Sequence, residues 1–476
     1  MTAASDERLA HAVAGWLPEA RWYAGDGRSG EEVTIEGRVW LAERADEPLE
    51  LAVVRIGIPG VPGGEAARYS VPVRWTSAGP VDAAVDPRLA GWLARAAAAG
   101  LSLRSDRGML LGMAAGEDAA EPAAAAGHEP ALDVVAAGGD ASNTSVMVRP
   151  LDGGPAAVVV KLLRRIREGI QPEVELGMFF RESGWRETPR LVGSVAWAHG
   201  GQPPAVIATV HELAEGMTGL WDRLVTRLAA DAGETAGWQE SLDLAAATGR
   251  TTARMHRVLT SRPDLAAFAA EPWTSEAADR AGGAMLAHAT EVLAKLAAAA
   301  DQLPEAFRPR IGRLLADRDR LLETLNTLAG RRWLSPRIRV HGDYHLGQLL
   351  VGGGRLLVID FEGEPSRPLA ARREKQSPAK DIAGMLRSFD YLANVALAPR
   401  QPAEAVAAAA ARLGEAFLQA YREEADGGDF WPDAAEASQL LAIHTLDKAI
   451  YELAYELDHR PGWIGIPLTA IERMIR

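Results

Sequence analysis

The sequence contains no cysteine. Disulfides, thiolate metal sites, zinc ribbons and cysteine nucleophiles are thereby excluded together, and a thiol-free chain fits a reducing compartment. Long apolar runs are also missing: nothing approaches the ~18 consecutive apolar residues of a bilayer span. The opening MTAASDERLAHAVAGWLPEA carries acidic residues early and lacks a basic start followed by an apolar core. These absences predict a soluble cytoplasmic protein without a membrane partner. Positive charge is in deficit, 51 Lys and Arg against 64 Asp and Glu for a net charge of -13. A nucleic acid would meet a mostly repulsive field, so none is expected as a partner. No period of roughly 20 to 50 residues recurs, which removes a solenoid.

What is present is a chain of 476 residues with 48% hydrophobic content, enough for two or three packed domains. ELAVVRIGI at 50–58 reads as a strand and Leu89 to Ala99 as an Ala-rich helix. Residues 114–130, AAGEDAAEPAAAAGHEP, read as a linker. From Leu132, LDVVAAGGDASNTSVMVRP and AAVVVKLL read as two or three strands with glycines at their bends, a helix starts near Pro172, and AVIATVHEL at 205–213 is a further strand. Beyond Gly216 the pattern is mainly helical. Leu244, Ala247, Thr251 and Met255 form an apolar-facing stripe, Ser377-Pro378 opens a helix through AKDIAGMLRSFDYLA, and a last helix near QLLAIHTLDKAIYELAYEL stops before Pro461. The expected organisation is an N-terminal subdomain at 1–114, a β-rich subdomain at 131–214 and a helical lobe at 215–476.

Residues 340–362, VHGDYHLGQLLVGGGRLLVIDFE, place carboxylates at the ends of two short apolar strands joined by a turn at Gly352-Gly353-Gly354. A carboxylate in such a place costs several kcal/mol unless it is paired, hydrogen-bonded or metal-bound. A β lobe, a helical lobe, and an Asp followed 17 positions later by a second Asp make the layout that phosphoryl transfer uses. Asp343 is the candidate base for an acceptor hydroxyl; Gln348 and Asp360 offer hard oxygen donors to Mg²⁺. Lys161, ending VVVK and opening the basic run KLLRRIR, is the candidate cation for the α and β phosphates. Its acidic partner would be Glu173 or Glu175, with Glu175 preferred because Leu176, Phe179 and Phe180 then lie nearby. The bend at 138–145, GGDASNTS, could fold over phosphates through backbone N–H groups and hydroxyls. His341 and His345 read as loop-bracing residues, and the Trp and Tyr of RWYAG as packing.

HGDYHLGQ followed by IDFEGEPSRPL resembles the catalytic and metal motifs of the maltokinase-like branch of the aminoglycoside phosphotransferase and eukaryotic-like kinase superfamily. That branch includes actinobacterial glucosamine kinases. ARWYAG at 20–25 is similar to its N-terminal cap, SNTSVMV to its phosphate loop, SPAKDIAGMLRSFDY to the helix after the metal motif, and LDKAIYELAYELDHRPGWIGIPL to its C-terminal end. The resemblance implies an α+β, bilobal kinase fold with an N-terminal cap, a small β-rich ATP-binding lobe and a large helical lobe. It implies ATP and Mg²⁺ as cofactors and a small sugar as acceptor, in a monomer or homodimer. Asp343 becomes the catalytic residue, Gln348 and Asp360 the metal ligands with Glu362 in support, and Asp381 an anchor for the catalytic loop. Ser142, Asn143 and Thr144 lie in the phosphate loop, and the backbone of Glu212, Leu213 and Ala214 would hold the adenine edge.

Two activities share these motifs, phosphorylation of maltose at its anomeric hydroxyl and of glucosamine at its 6-hydroxyl. The acceptor pocket is expected on the C-terminal helix, where Gln439, Ile443, Asp447 and Tyr451 follow i, i+4 spacing beside a stripe of Lys448, Glu452 and Glu456. Asp26 after Gly25 and the element EGMTGLWDRL depart from the maltokinase pattern. A carboxylate-rich pocket of Asp447, Glu452 and Glu456 would favour an ammonium, which turns the expectation towards glucosamine, with maltose as the alternative. The bland reading has these acids solvated or paired with Lys448. A pseudokinase would be expected to lose Lys161, Asp343 or Asp360, and all three are present.

Overall fold

The computed structural model describes residues 3–23, 32–42, 46–57, 66–105, 107–116, 132–137, 143–151, 157–230, 238–329 and 331–475. The chain forms two compact units, Met1–Glu215 with Pro365–Arg372, and Gly216–Glu364 with Arg373–Arg476.

The first unit begins with α1 (Ala3–Trp16), β1 (Glu32–Ala42), β2 (Leu49–Gly57), β3 (Ala67–Thr76), β4 (Gly79–Asp82) and α2 (Pro87–Ala99). Asp86 caps α2 by accepting from the Arg88 N–H, with Pro87 in the first turn. There follow β5 (Ser102–Ser105), β6 (Gly108–Ala114), β7 (Leu132–Ala137), β8 (Asn143–Pro150), β9 (Val158–Leu163), β10 (Arg165–Ile166), α3 (Pro172–Glu182), β11 (Leu191–Ala198) and β12 (Ala205–Glu212). One sheet runs β1-β2-β3-β10 with β4 on β3, and a seven-stranded sheet runs β5-β6-β11-β12-β9-β8-β7. The stretches expected as separate N-terminal and β-rich subdomains therefore interleave: β5 and β6 enter the larger sheet, and β10 crosses back to the smaller one. One apolar core joins them, with Val39, Leu51 and Leu93 packed with Val146, Val160 and Val210. Trp22 and Tyr23 of RWYAG pack on Tyr69, and the Arg164 guanidinium lies 4.4 Å over the Trp22 ring. The rest of that motif, Ala24 and Gly25, and the following Asp26 lie outside the described residues, as does most of the linker.

The second unit contains β13 (Thr218–Gly219), α4 (Leu220–Ala230), α5 (Gln239–Leu259), α6 (Ser275–Ala299), α7 (Arg308–Ala316), α8 (Arg318–Asn326), β14 (Leu349–Gly352) and β15 (Arg355–Val358). A short helix α9 (Leu369–Arg372) belongs to the first unit, and α10 (Ala379–Leu397), α11 (Ala403–Ala425), α12 (Ala434–His459) and α13 (Gly465–Met474) complete the second. The helix expected to be last, α12, ends at His459, and a turn at Pro461–Trp463 leads into α13, so the chain continues helical beyond the proline. The Ser377 hydroxyl accepts from the Ala379 N–H and opens α10 as expected. Among the described residues no helix is long and apolar enough to cross a membrane.

His444, on α12, is buried, and its Nε2 has no hydrogen-bond partner. Burial, reinforced by the nearby Lys380 ammonium, pushes its pKa from 6.5 down to about 3. Between those values the unfolded chain binds a proton that the folded chain does not, so stability falls as pH falls, by about 1.4 kcal/mol per pH unit. Lowering the pH by 1.5 units below ~6.5 should cost the wild type about 2 kcal/mol more than His444→Leu, measured by urea unfolding. Equal slopes for the two proteins would contradict this assignment.

Candidate active site

β14 and β15 pair from Leu349↔Val358 to Gly352↔Arg355, leaving Gly353 and Gly354 as a two-residue turn. Both have positive φ, 57° and 73°, the geometry that matches strand twist in a tight hairpin. The pairing continues one step past the strands, where the Ile359 N–H donates to the Gln348 carbonyl at 3.0 Å. That register brings the Gln348 and Asp360 side chains together, with Nε2 donating to Oδ2 at 3.1 Å. Asp360 is the one non-glycine among the described residues with positive φ, 65°. Such strain persists only where the surroundings over-determine it. Turning the Gln348 amide over would present Oε1 in place of Nε2, and a carboxylate with an amide oxygen is a donor set suited to Mg²⁺. Glu362, two residues on, is buried.

The loop before β14 carries Asp343. Its Oδ1 accepts from the Lys448 ammonium at 3.2 Å, with the two side chains 23% and 19% exposed. Burial alone would raise the Asp343 carboxyl; Lys448 and His345 outweigh it and hold the pKa at about 2. Burial likewise opposes the Lys448 charge, and Asp343, Glu364 and Glu452 hold its pKa above the ordinary value. Because a depressed carboxyl pKa keeps the group ionised until the pH falls through about 2, Asp343 is a carboxylate throughout the physiological range. Removing the ammonium with Lys448→Met should raise the Asp343 pKa and move the acid limb of kcat/KM to higher pH. An unmoved acid limb would argue that the ion pair does not govern Asp343.

Asp381 on α10 anchors this loop. Its Oδ2 accepts from the His341 N–H at 2.8 Å and its Oδ1 from the Gly342 N–H at 2.9 Å. His341 Nε2 lies 3.0 Å from the Ile359 carbonyl, and His345 Nδ1 accepts from the Gly347 N–H at 3.1 Å, so both histidines brace the loop. The Leu346 N–H donates to Ser388 Oγ at 3.1 Å. α10 can approach this closely because Gly384 has no side chain: a Cβ there would lie 2.5 Å from the Tyr344 carbonyl. Gly384→Ala should therefore cost about 1–3 kcal/mol of stability in urea unfolding, and an unchanged midpoint would oppose this.

On α12, Lys448 Nζ lies 4.7 Å from the Tyr451 ring centroid. The carboxylates of the neighbouring stripe differ from the expected amine pocket. Glu452 is held by Arg387, whose Nε donates at 2.8 Å, and Glu456 accepts from Tyr391 Oη at 2.9 Å and from both Nε and NH2 of Arg460. The reason is burial: a carboxylate on the inner face of the helix needs a fixed counter-charge. Nor do these acids take Lys448, which turns to Asp343. Gln439 lies nine residues before Lys448, two and a half turns and thus on the opposite side of α12, and the structure does not bring it to Asp343. Asp447 precedes Lys448 by one residue, about 100° round the helix.

In the first unit, Lys161 on β9 pairs with Glu173 at 3.4 Å, both side chains being under one-tenth exposed. Glu175 was the expected partner. Glu173 shares its face of α3 with Leu176 and Phe180 at i+3 and i+7, all buried, whereas Glu175 lies about 200° round from Glu173 and is half-buried. His211 Nδ1 stands 3.9 Å from the other Glu173 oxygen. Asn143 and Thr144 open β8 opposite Leu163 and Leu162 of β9, while Ser142 and the bend 138–141 lie outside the described residues. At the end of β12 the Glu212 N–H donates to the Arg190 carbonyl and the Leu213 N–H to the Ala157 carbonyl, both at 2.9 Å, which sets the path of the backbone into Ala214.

Sequence reasoning missed the polar residues of α5. Its most buried stripe holds Thr248, Thr252 and His256 at i, i+4 spacing, turned from the expected stripe, in which Leu244 and Ala247 are only half-buried. Thr252 Oγ1 donates to the Thr248 carbonyl at 2.7 Å and so accepts from Tyr344 Oη at 2.9 Å. Three polar side chains four residues apart, on the face shared with Ala245, Met255 and Leu259, were the available signal.

A carboxylate base candidate held by an ammonium, with an amide–carboxylate pair on the adjoining hairpin, is a set of groups that phosphoryl transfer can use. Residues 133–363 match the Phosphotransferase enzyme family, and residues 16–103 match the Maltokinase N-terminal cap domain. The chain is 31% identical over 337 residues to a glucosamine kinase of Streptacidiphilus jiangxiensis, covering 69% of this chain and 70% of that one. It is 30% identical over 341 residues to a glucosamine kinase of Mycolicibacterium smegmatis, covering 71% and 78%. A solved glucosamine kinase in complex with glucosamine, ADP and inorganic phosphate aligns at a TM-score of 0.65 and 25% identity over 98% of this chain and 99% of that one. The chain belongs to the phosphotransferase enzyme family, in the branch that carries the maltokinase N-terminal cap. It is an ATP-dependent kinase of the sugar-kinase class.

Proposed function

We propose that this enzyme transfers the γ-phosphoryl group of ATP to the 6-hydroxyl of D-glucosamine, giving glucosamine 6-phosphate and ADP. The observation that carries the kinase chemistry is the ionised Asp343 held 3.2 Å from Lys448 on a loop fixed by Asp381. In the transfer the acceptor oxygen bonds to the γ-phosphorus, the bond to the β–γ bridging oxygen breaks, and Asp343 takes the hydroxyl proton as that charge moves. Asp360 and Gln348 are the proposed Mg²⁺ ligands, with Glu362 behind them; the ion would neutralise phosphate charge. Lys161, set by Glu173, is proposed to contact the α and β phosphates, Asn143 and Thr144 to flank them with Ser142, and the Glu212–Ala214 backbone to bind adenine. The proposed acceptor wall is Lys448, Tyr451 and Asp447 of α12, with Glu452 acting through Arg387. The division into a cap at 1–114, an ATP-binding part at 131–214 and a helical lobe at 215–476 is proposed in the same sense.

Glucosamine is supported as acceptor by the two glucosamine kinases to which the chain is similar over two thirds or more of their lengths. The cap match favours maltose as a second reading. ATP consumption measured over maltose, glucose, glucosamine and related amino sugars, with NMR of the product, decides between them. Turnover of glucosamine to the 6-phosphate is expected, and turnover of maltose alone would replace this reading with maltokinase. If Asp447 favours the amino sugar, Asp447→Asn should lower the glucosamine-over-glucose ratio of kcat/KM by about ten-fold to a hundred-fold with ATP parameters unchanged. An unchanged ratio would remove Asp447 from the amine site while leaving the kinase intact.

A further inference from the structure

Asp381 does not hold the catalytic loop by itself. Besides the two loop N–H groups it faces His256 of α5, whose Nε2 lies 3.1 Å from Oδ2, and His256 Nδ1 in turn lies 2.9 Å from the Tyr421 hydroxyl of α11. All three side chains are buried, at 0% exposure for His256, 1% for Asp381 and 0% for Tyr421. Their directions are dictated by their partners. A carboxylate only accepts, so His256 donates from Nε2; with the ring neutral, Nδ1 accepts and Tyr421 donates to it. The result is a set of donors converging on Asp381, the Tyr421 hydroxyl through His256 from one side and the N–H groups of His341 and Gly342, the residues immediately before Asp343, from the other. Each loop N–H holds one oxygen of the Asp381 carboxylate. The third donor, His256 Nε2, comes from a different helix and ties the same carboxylate to α5.

We propose that His256 and Tyr421 are positioning residues for phosphoryl transfer, locking the Asp381 carboxylate so that the loop bearing Asp343 holds one orientation. The surroundings favour a geometric role over a packing one. The His256 ring meets Tyr421 and Phe430 edge-on, with centroids 5.7 and 6.3 Å away, so an apolar residue of its size could fill that space. What an apolar residue cannot supply is the two-ended hydrogen bond. The second tether from α5, Thr252 to Tyr344, grips the same loop on the other side of Asp343. Asp343 is thus flanked by contacts that lead back to one helix, and a misplacement of the loop by a fraction of an ångström is felt directly in the transfer step.

This inference rests on Asp343 acting as the catalytic residue, and the test separates the two. Tyr421→Phe keeps the ring and deletes only the donor, His256→Leu deletes both bonds, and His256→Gln restores a donor near the Nε2 position. Expected is a fall in kcat of about 2- to 10-fold for Tyr421→Phe and about 10- to 100-fold for His256→Leu, with recovery of most of that loss in His256→Gln. The KM values for ATP and sugar should stay within about two-fold, because neither binding surface is touched. Amide exchange at His341 and Gly342, read by mass spectrometry in the same proteins, should quicken in Tyr421→Phe and His256→Leu. Should His256→Leu fail to fold, Tyr421→Phe carries the test. Wild-type kcat and wild-type amide protection in Tyr421→Phe would overturn the inference. A wild-type protein without phosphotransferase activity that still shows the exchange change would overturn the catalytic reading and retain the positioning chain.

Discussion

Asp343→Asn lowers kcat by about two to four orders of magnitude while Mg·ATP affinity changes little. The substitution keeps the side-chain shape and its place on the loop. It removes the negative charge proposed to accept the hydroxyl proton, and general base catalysis is worth about 10²- to 10⁴-fold. It also releases Lys448, whose raised pKa depends in part on that charge, so the acceptor loses an oriented ammonium–carboxylate pair as well as a base. Steady-state kinetics with saturating ATP reads the first effect, and calorimetric titration of nucleotide reads the second. Near-normal turnover would remove Asp343 from the chemistry and with it the catalytic consequence drawn for Lys448, Asp381 and His256, leaving their contacts as structural ones.

Asp360→Ala, in contrast, should abolish Mg²⁺-dependent nucleotide binding and with it activity. Asp360 occupies a left-handed backbone position that a non-glycine residue adopts at a cost of order 1–3 kcal/mol, with its carboxylate against the Gln348 amide. Alanine takes that conformation no more easily, so the test includes Asp360→Asn, which retains a short polar side chain suited to positive φ and loses the charge. Titration of ATP with and without Mg²⁺ should show the magnesium-dependent part of the affinity lost in both variants, with any binding of free nucleotide surviving. Mg·ATP affinity unchanged in either would oppose the assignment of Asp360 to the metal. A protein stabilised by Asp360→Asn yet inactive would agree with strain maintained for function.

The parts of this protein that could be read from the chain are those encoded within a few residues. The hairpin at 349–358 follows from two apolar runs and a glycine turn, and its register alone carries Gln348 to Asp360. β2, β12, α2 and α10 were readable for the same reason, since strand alternation, a capping Ser and a proline in the first turn act locally. Asp381 was readable through the resemblance of the helix that bears it. The absence of cysteine excluded covalent staples before any element was placed.

Where a residue's role depends on what faces it from another element, local pattern gave no answer. Glu173 and Glu175 lie 12 and 14 residues from Lys161 in sequence, and only the packing of α3, which turns Leu176 and Phe180 inward, selected Glu173. Gln439 and Tyr451 satisfied an i, i+4 series, but a four-residue step advances 40° beyond a full turn, so three steps carry the series a third of the way round α12. Glu452 and Glu456 looked available for an ammonium until Arg387, Tyr391 and Arg460 were brought to them. The interleaving of β5, β6 and β10 between two sheets depends on pairings 79 to 98 residues apart, and the chain from Tyr421 to Asp381 on contacts 125 and 165 residues apart. By itself the sequence determined the chemistry available at the site, because the carboxylates and amide proposed for it lie within one short motif. Only the tertiary structure decided which charges are already paired and which helix holds the base in place, because a buried charge takes as its partner whatever the packing places opposite it, at any distance along the chain.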